Sequence, residues 1–264
     1  MAETDEVVFG FPDFAPTVFA ENRAALILAY EHSHIANKMI AALPKEMVLN
    51  QVVINMLVRM TTVGWIELLM LVGHGAGLGA MKVARGMFET AVMAEYLRRV
   101  PEELDDYIEY GHVLDYKRIK LFPDAVSIEK AREIMREYER VKPRFTNKNG
   151  KVRNHWNKHP ISYMAEKVER GEQYEIPYSL AASIHHGNFE AMIAHLSGDG
   201  TQLEIDSPPS LAWVRQALVS GHVYLLQALN TLNTFFDLGF DLEAMGKQFE
   251  NVWRKAKSAA SGTV

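Results

Sequence analysis

Residues 78–97, LGAMKVARGMFETAVMAEYL, read as one helix that is apolar on almost every face. Leu78, Met81, Val83, Met87, Phe88, Val92, Met93, Tyr96 and Leu97 are spread around it, with alanines between them. A helix that is apolar all round must be covered by other elements, so this one predicts the central member of a helical bundle. Two charges interrupt it. Arg85 and Glu89 are four residues apart, share one face and can pair. Burying either charge alone is costly. Such a pair is therefore either a strut that fixes helix register or part of a binding site.

Working outward, helical spacing of apolar residues predicts helices over 15–42 and 45–72, the second ending in a run of small residues, Gly73-His74-Gly75-Ala76-Gly77-Leu78-Gly79. That run has neither a preceding strand nor a following Gly-Lys-Ser/Thr, so it reads as a tight turn or a close helix approach, not a phosphate loop. Pro101 opens a helix to about 121, with Glu102, Glu103, Asp105 and Asp106 at its N-terminal end. Further helices are expected over 127–141, 161–170, 176–196, 211–236 and 241–257, and loops over 142–160 and 197–209. No strand is expected. The fold class is all-α: a single-domain bundle of about seven or eight helices. Residues 1–13 read as an N-terminal extension, 14–257 as the helical domain with a basic loop (140–160) inserted, and 258–264 as a disordered tail.

Composition narrows the function classes. The chain has 264 residues and a net charge of −5, which argues against nucleic-acid binding by bulk charge. It has no cysteine, which excludes disulfides, thiolate catalysis and cysteine metal sites and agrees with a cytoplasmic location. The acidic start, MAETDEVVFGF, does not read as a signal peptide. Residues 63–81 are the most membrane-like, but Glu67, His74 and five glycines make a buried helix the expectation, with no membrane partner.

Three constellations carry polar chemistry. The first is Arg85 with Glu89. The second is Ser179, Ser183, His186 and Glu190, one stripe of a single helix. Catalytic triads are assembled from separate segments, so His186 is expected to be a hydrogen-bonding group of the core facing Arg85 and Glu89, with His185 pointing to the surface. His32 and His34 lie on different faces. No metal site and no cofactor are predicted, although His186 and Glu190 have a usable spacing.

The third constellation is electrostatic. Arg140, Lys142, Arg144, Lys148, Lys151, Arg153 and Lys158 occur without an Asp or Glu between 140 and 165, and Phe145 and Trp156 lie among them. A patch made of Arg144, Lys148, Lys151 and Arg153 can attract RNA phosphates, with Trp156 stacking on a base. Within it, Arg153-Asn154-His155-Trp156-Asn157-Lys158-His159 resembles the Arg…His signature of the HEPN group of helical ribonucleases. There the resemblance implies that Arg153, with His155 or His159, acts on a scissile phosphate: His moves protons and Arg stabilises the phosphorane. Pro160 follows at once, so the pair departs from that group's helical placement.

A wider resemblance rests on Ala84-Arg85-Gly86-Met87-Phe88-Glu89 and Glu95-Tyr96-Leu97, then Trp156, Ile161 to Glu166, Tyr178-Ser179-Leu180 and Ser183-Ile184-His185-His186-Gly187. In these segments, over roughly residues 60–235, the chain resembles a bacterial domain-of-unknown-function family, number five-six-seven-seven in its series. The resemblance implies an all-helical fold and brings no activity. It also implies that Arg85, Glu89, Tyr178, Ser183 and His186 meet in space. The leading expectation is a cytoplasmic protein whose buried polar cluster binds a small ligand or a partner. The alternatives are a HEPN-like, metal-independent ribonuclease in stress or phage defence, and a structural homodimer formed through apolar helices such as 211–236.

Overall fold

The computed structural model describes residues 11–189, 193, 196–198, 203–205 and 209–261. The fold is an all-α bundle of α1 (Ala15–Ala41), α2 (Leu49–Gly73), α3 (Gly77–Arg99), α4 (Leu104–Leu121), α5 (Ile128–Phe145), α6 (Ile161–Lys167), α7 (Ser179–His185), α8 (Val214–Phe236) and α9 (Leu242–Ser261). Helix α3 is the hub. It packs against α2, α8, α7 and α6, and Ala80, Met81, Ala84, Met87, Phe88, Ala91, Val92 and Leu97 are buried. This is the placement its all-round apolar sequence demands.

Small residues let the central helices approach closely. A Cβ on Gly64 of α2 would sit 2.8 Å from Met87 Cγ of α3. In the turn between α2 and α3, Gly75 has φ +68°, a left-handed conformation that side chains disfavour. Gly77 lies so close to the backbone of residues 212–214 that a Cβ there would collide with it. The glycine run is thus both a tight turn and a close contact with the start of α8.

Several boundaries differ from the sequence expectation. Helix α5 continues past residue 141 to Phe145, because Tyr138, Val141 and Phe145 form one buried stripe against α4. Pro143 is accommodated in its last turn. The expected loop therefore begins at residue 146. Helix α6 stops at Lys167, and Glu169 takes φ 62°. Gly171 opens the next helical turn and does not close α6. The long helix expected over 176–196 is not continuous: among the described residues it begins as a π-helical turn, Tyr174–Tyr178, and the short α7 that follows ends at His185. Gly187, at φ +68°, lies just past its end. Two three-residue strands, β1 (Leu196–Gly198) and β2 (Leu203–Ile205), then pair antiparallel where no strand was expected. At the other end, α9 runs to Ser261, into the expected tail.

The apolar residues of helix α8 face inward. Val214, Ala217, Leu218, Tyr224, Leu225, Ala228, Leu229 and Leu232 are buried, and it packs on α3 and α2. The residues that looked sticky in the sequence are the far wall of the core. Helix α2 is long and apolar enough, by length and composition, to cross a membrane, and about 44 % of its most apolar window is buried in the bundle.

Candidate functional site

A cleft of about 780 Å³ opens beside α3, between α4 and the segment that follows α5. Arg85 and Glu89 of α3 line it, together with Tyr178 of the π-helical turn and Tyr107 and Tyr110 of α4. The opposite rim is Asn154, His155, Trp156, Asn157 and His159. Arg85 and Glu89 from one of the rival constellations and His155 and His159 from the other therefore share one cavity.

Arg85 and Glu89 form an i,i+4 pair at 3.2 Å (Nη2 to Oε1), with side chains 23 % and 35 % exposed. They are not buried inside the core, as the sequence suggested. They stand on the wall of the cleft. The Tyr178 hydroxyl donates to the same Glu89 Oε1 at 2.8 Å, and the Arg85 guanidinium lies 5.9 Å from the Tyr178 ring centroid. Tyr178 is held in place by Phe88 and Tyr174, at centroid distances of 4.7 and 5.0 Å. Burial works against the charge on Arg85, but Tyr178 and Glu89 outweigh it and raise its pKa above the ordinary value. Burial, followed by Glu89, pushes the Tyr178 phenol up in spite of Arg85. Arg85 Nε is buried without a hydrogen-bond partner.

The far rim is fixed by its backbone and its buried members. Arg153 N–H donates to the Phe145 carbonyl at 2.9 Å, and Tyr110 O–H donates to the Arg153 carbonyl at 2.9 Å. Asn157 is buried and donates to Glu103 at 2.8 Å, while its own oxygen accepts the His159 N–H at 2.7 Å. Trp156 is buried between Tyr107 and Tyr96, at centroid distances of 5.3 and 6.4 Å. It anchors the segment to the bundle. His155 and His159 remain exposed, and His159 stacks on Tyr163 at 4.0 Å.

The other expected residues lie elsewhere. His186 is exposed in the turn after α7, beside His185 at 5.3 Å, and does not line the cleft. It caps a helix of seven residues and lies past its last turn, off the helical stripe expected to face Arg85. Ser183 is half-buried on α7 and likewise lies off the cleft. Ser179 bonds to the carbonyls of Glu175 and Ile176. Glu190 is outside the described residues. Among the described residues no group of three or more His, Asp or Glu is arranged to hold a metal ion.

Three residues of the basic patch are paired with carboxylates. Arg140 pairs with Glu109 at 2.8 Å and with Glu137 at 2.9 Å, and Lys142 pairs with Glu139 at 3.3 Å. Arg144 pairs with Asp106 and, at 2.5 Å, with Glu109. Asp106 and Glu109 come from α4, which is why a stretch without acids looked bare in the sequence. The Arg153 guanidinium lies over Phe145 at 5.4 Å and bonds to the Arg144 carbonyl at 3.2 Å. It is absent from the cleft lining. Lys148 and Lys151 stay exposed on the loop.

The model of a family of unknown function, DUF5677, matches residues 51–203. The chain belongs to this family. The matched span runs from α2 to β2 and holds every residue of the cleft. It ends before α8, which nevertheless completes the core on the other side of α3. No curated protein and no solved structure matches the chain.

Proposed function

We propose that the chain binds a small anionic molecule with an apolar or aromatic body in the cleft beside α3. The observation that carries this reading is Arg85, held charged by Glu89 and Tyr178, on the wall of a mainly apolar cavity. Its volume of about 780 Å³ suits a small ligand. The apolar walls would take the body of the ligand. Arg85 would clamp the anion, with His155, His159 and Asn154 as hydrogen-bonding groups on the rim. Glu89 would orient Arg85, not touch the ligand. The lack of cysteine supports a cytoplasmic site of action.

A second reading is ribonuclease action, because two histidines and an arginine line one cavity. In this form Arg85 replaces Arg153 as the cation that stabilises the phosphorane. One histidine would take the proton of the ribose 2′-OH as that oxygen attacks the phosphorus. The other would give a proton to the departing 5′-oxygen.

A thermal-shift screen with nucleoside monophosphates, inorganic phosphate, aromatic carboxylates and a short RNA separates the two. A ligand at 100 times its Kd adds about 2.7 kcal/mol of stability. A shift with a small anion that disappears in Arg85→Met supports binding. RNA cleavage that is lost in both His155→Ala and His159→Ala supports the nuclease. Binding that survives Arg85→Met counts against both.

A further inference from the structure

Helix α2 carries an uncovered face. Between Met56 and Met70 the exposed residues are Met56, Arg59, Met60, Val63, Ile66, Glu67 and Met70. The apolar ones range from 42 % exposure at Ile66 to 67 % at Met70. Single exposed apolar side chains are ordinary, but a continuous stripe of five marks an interaction surface. Beside it runs a groove of about 700 Å³ between α2 and α3, with Met56, Met60, Val63, Val83, Met87 and Met93 among its lining residues.

The stripe reads the same from either end. Counting outward from Val63, Met60 answers Ile66, Arg59 answers Glu67, and Met56 answers Met70. We infer that this face of α2 binds the same face of a second copy of the chain, antiparallel, about a two-fold axis at Val63. In that arrangement residues equidistant from Val63 lie at the same level of the two helices. Each Met56 meets a Met70 of the partner subunit, each Met60 meets an Ile66 of the partner subunit, and Val63 meets its own copy. Arg59 lies level with Glu67 of the partner subunit, and by symmetry the pair forms twice. This is what an isologous interface requires: one patch complementary to itself under rotation.

The charges choose the orientation and the occupant. A parallel pairing would set Arg59 against Arg59 and Glu67 against Glu67, and like charges in contact are repulsive. A membrane would leave both charges facing acyl chains. Only the antiparallel copy covers the apolar side chains and pairs the charges together. The interface adjoins the ligand cleft, because Glu89 and Met93 line both cavities. It does not depend on what the cleft binds.

The test is sedimentation velocity of the full chain over a range of micromolar concentrations, with circular dichroism to verify folding. Wild type should be a dimer. Arg59→Glu and Glu67→Arg, made singly, each create two like-charge contacts and should weaken association about tenfold or more. The double exchange Arg59→Glu/Glu67→Arg restores both pairs and should recover most of the loss. Val63→Glu brings two carboxylates together on the axis and should give a folded monomer. A wild-type monomer throughout overturns the inference, as does a dimer indifferent to all four variants. Wild-type binding to phosphatidylcholine vesicles through the stripe, in place of dimerisation, also overturns it.

Discussion

Tyr178 and Arg85 converge on one oxygen of Glu89, the phenol at 2.8 Å and the guanidinium at 3.2 Å. The phenol arrives from 89 residues away in the chain. It ties the π-helical turn to the wall of the cleft and limits how far Arg85 can swing. Removing the hydroxyl in Tyr178→Phe keeps the ring on Phe88 and deletes the bond. A hydrogen bond to a charged group contributes roughly 1.5–3 kcal/mol, and partial exposure of Glu89 sets the expectation below that range, at about 1 kcal/mol. Urea denaturation measures this. A loss near zero would show that the phenol does not hold Glu89 in solution.

Glu95 should matter more. Its carboxylate receives Arg98 at 2.7 Å, Arg99 at 2.6 Å and the Thr231 hydroxyl at 3.1 Å, joining α3 to α8. Burial alone would raise its pKa, but Arg98 and Arg99 override burial and hold it below the ordinary carboxylate value. The stabilisation is therefore present above the unfolded pKa and lost as pH falls through the lower, folded one. Glu95→Gln should cost about 2 kcal/mol near neutral pH. The difference from wild type should shrink in acid. A difference that is constant with pH would contradict the assigned ion pairs.

A buried histidine pair sets a second acid dependence. His32 and His222 are fully buried, with ring centroids 5.3 Å apart, and His222 packs on Trp65 at 4.5 Å. Burial, then the neighbouring His32, pushes the His222 pKa down to about 3, although the Leu218 carbonyl opposes this. Burial also lowers His32, against the raising effects of Gln248 and Glu31. Below the ordinary histidine value of 6.5 the unfolded chain binds protons that the folded chain refuses. Stability should be flat above that value and fall below it. Each such histidine contributes a slope of about 1.4 kcal/mol per pH unit. His222→Leu should reduce the slope between pH 6 and pH 4 by about one proton. An unchanged slope would remove His222 as its source.

The paired arginines of the basic segment should prove unimportant for RNA. The charges of Arg140 and Arg144 are compensated by Glu109, Asp106 and Glu137. Arg140→Gln/Arg144→Gln should leave any RNA affinity within about threefold of wild type at physiological salt. Those exposed pairs are also weak: Arg144→Ala should cost no more than about 1 kcal/mol in urea denaturation. A tenfold loss of RNA affinity in the double arginine variant would make these arginines part of a nucleic-acid surface.

The fold was legible because α3 cannot be read as anything but a covered helix. Its length, its apolar wrap and its alanines all point to the centre of a bundle. Part of the site was legible too: Arg85 and Glu89 are four apart on one helix, and spacing alone brings them together. What spacing could not show is which residues of other segments complete the site. The helical stripe that placed His186 beside Arg85 presumed a helix running on to residue 196, but α7 ends at His185 and Gly187 turns left-handed just beyond it. Arg144 looked unpaired because its acids sit on α4. Helix α8 looked like a surface because an apolar pattern does not say which partner covers it. The joining of Arg85 with His155 and His159 depends on Trp156, Asn157 and Tyr110 pinning a loop against α4. The sequence signal for that joining is the Trp between two histidines, a residue type that suits base stacking as well as anchoring.

In the proposed complex Arg85 and His159 face one ligand. The most direct measurement is a double-mutant cycle on ligand-induced thermal stabilisation, using the small anion that gives the largest shift with wild type. Arg85→Met and His159→Ala should each reduce the binding free energy, and the double variant should lose less than the sum, because both groups contact one molecule. A shift that neither substitution changes, or one that only one of them reduces, would contradict a shared site.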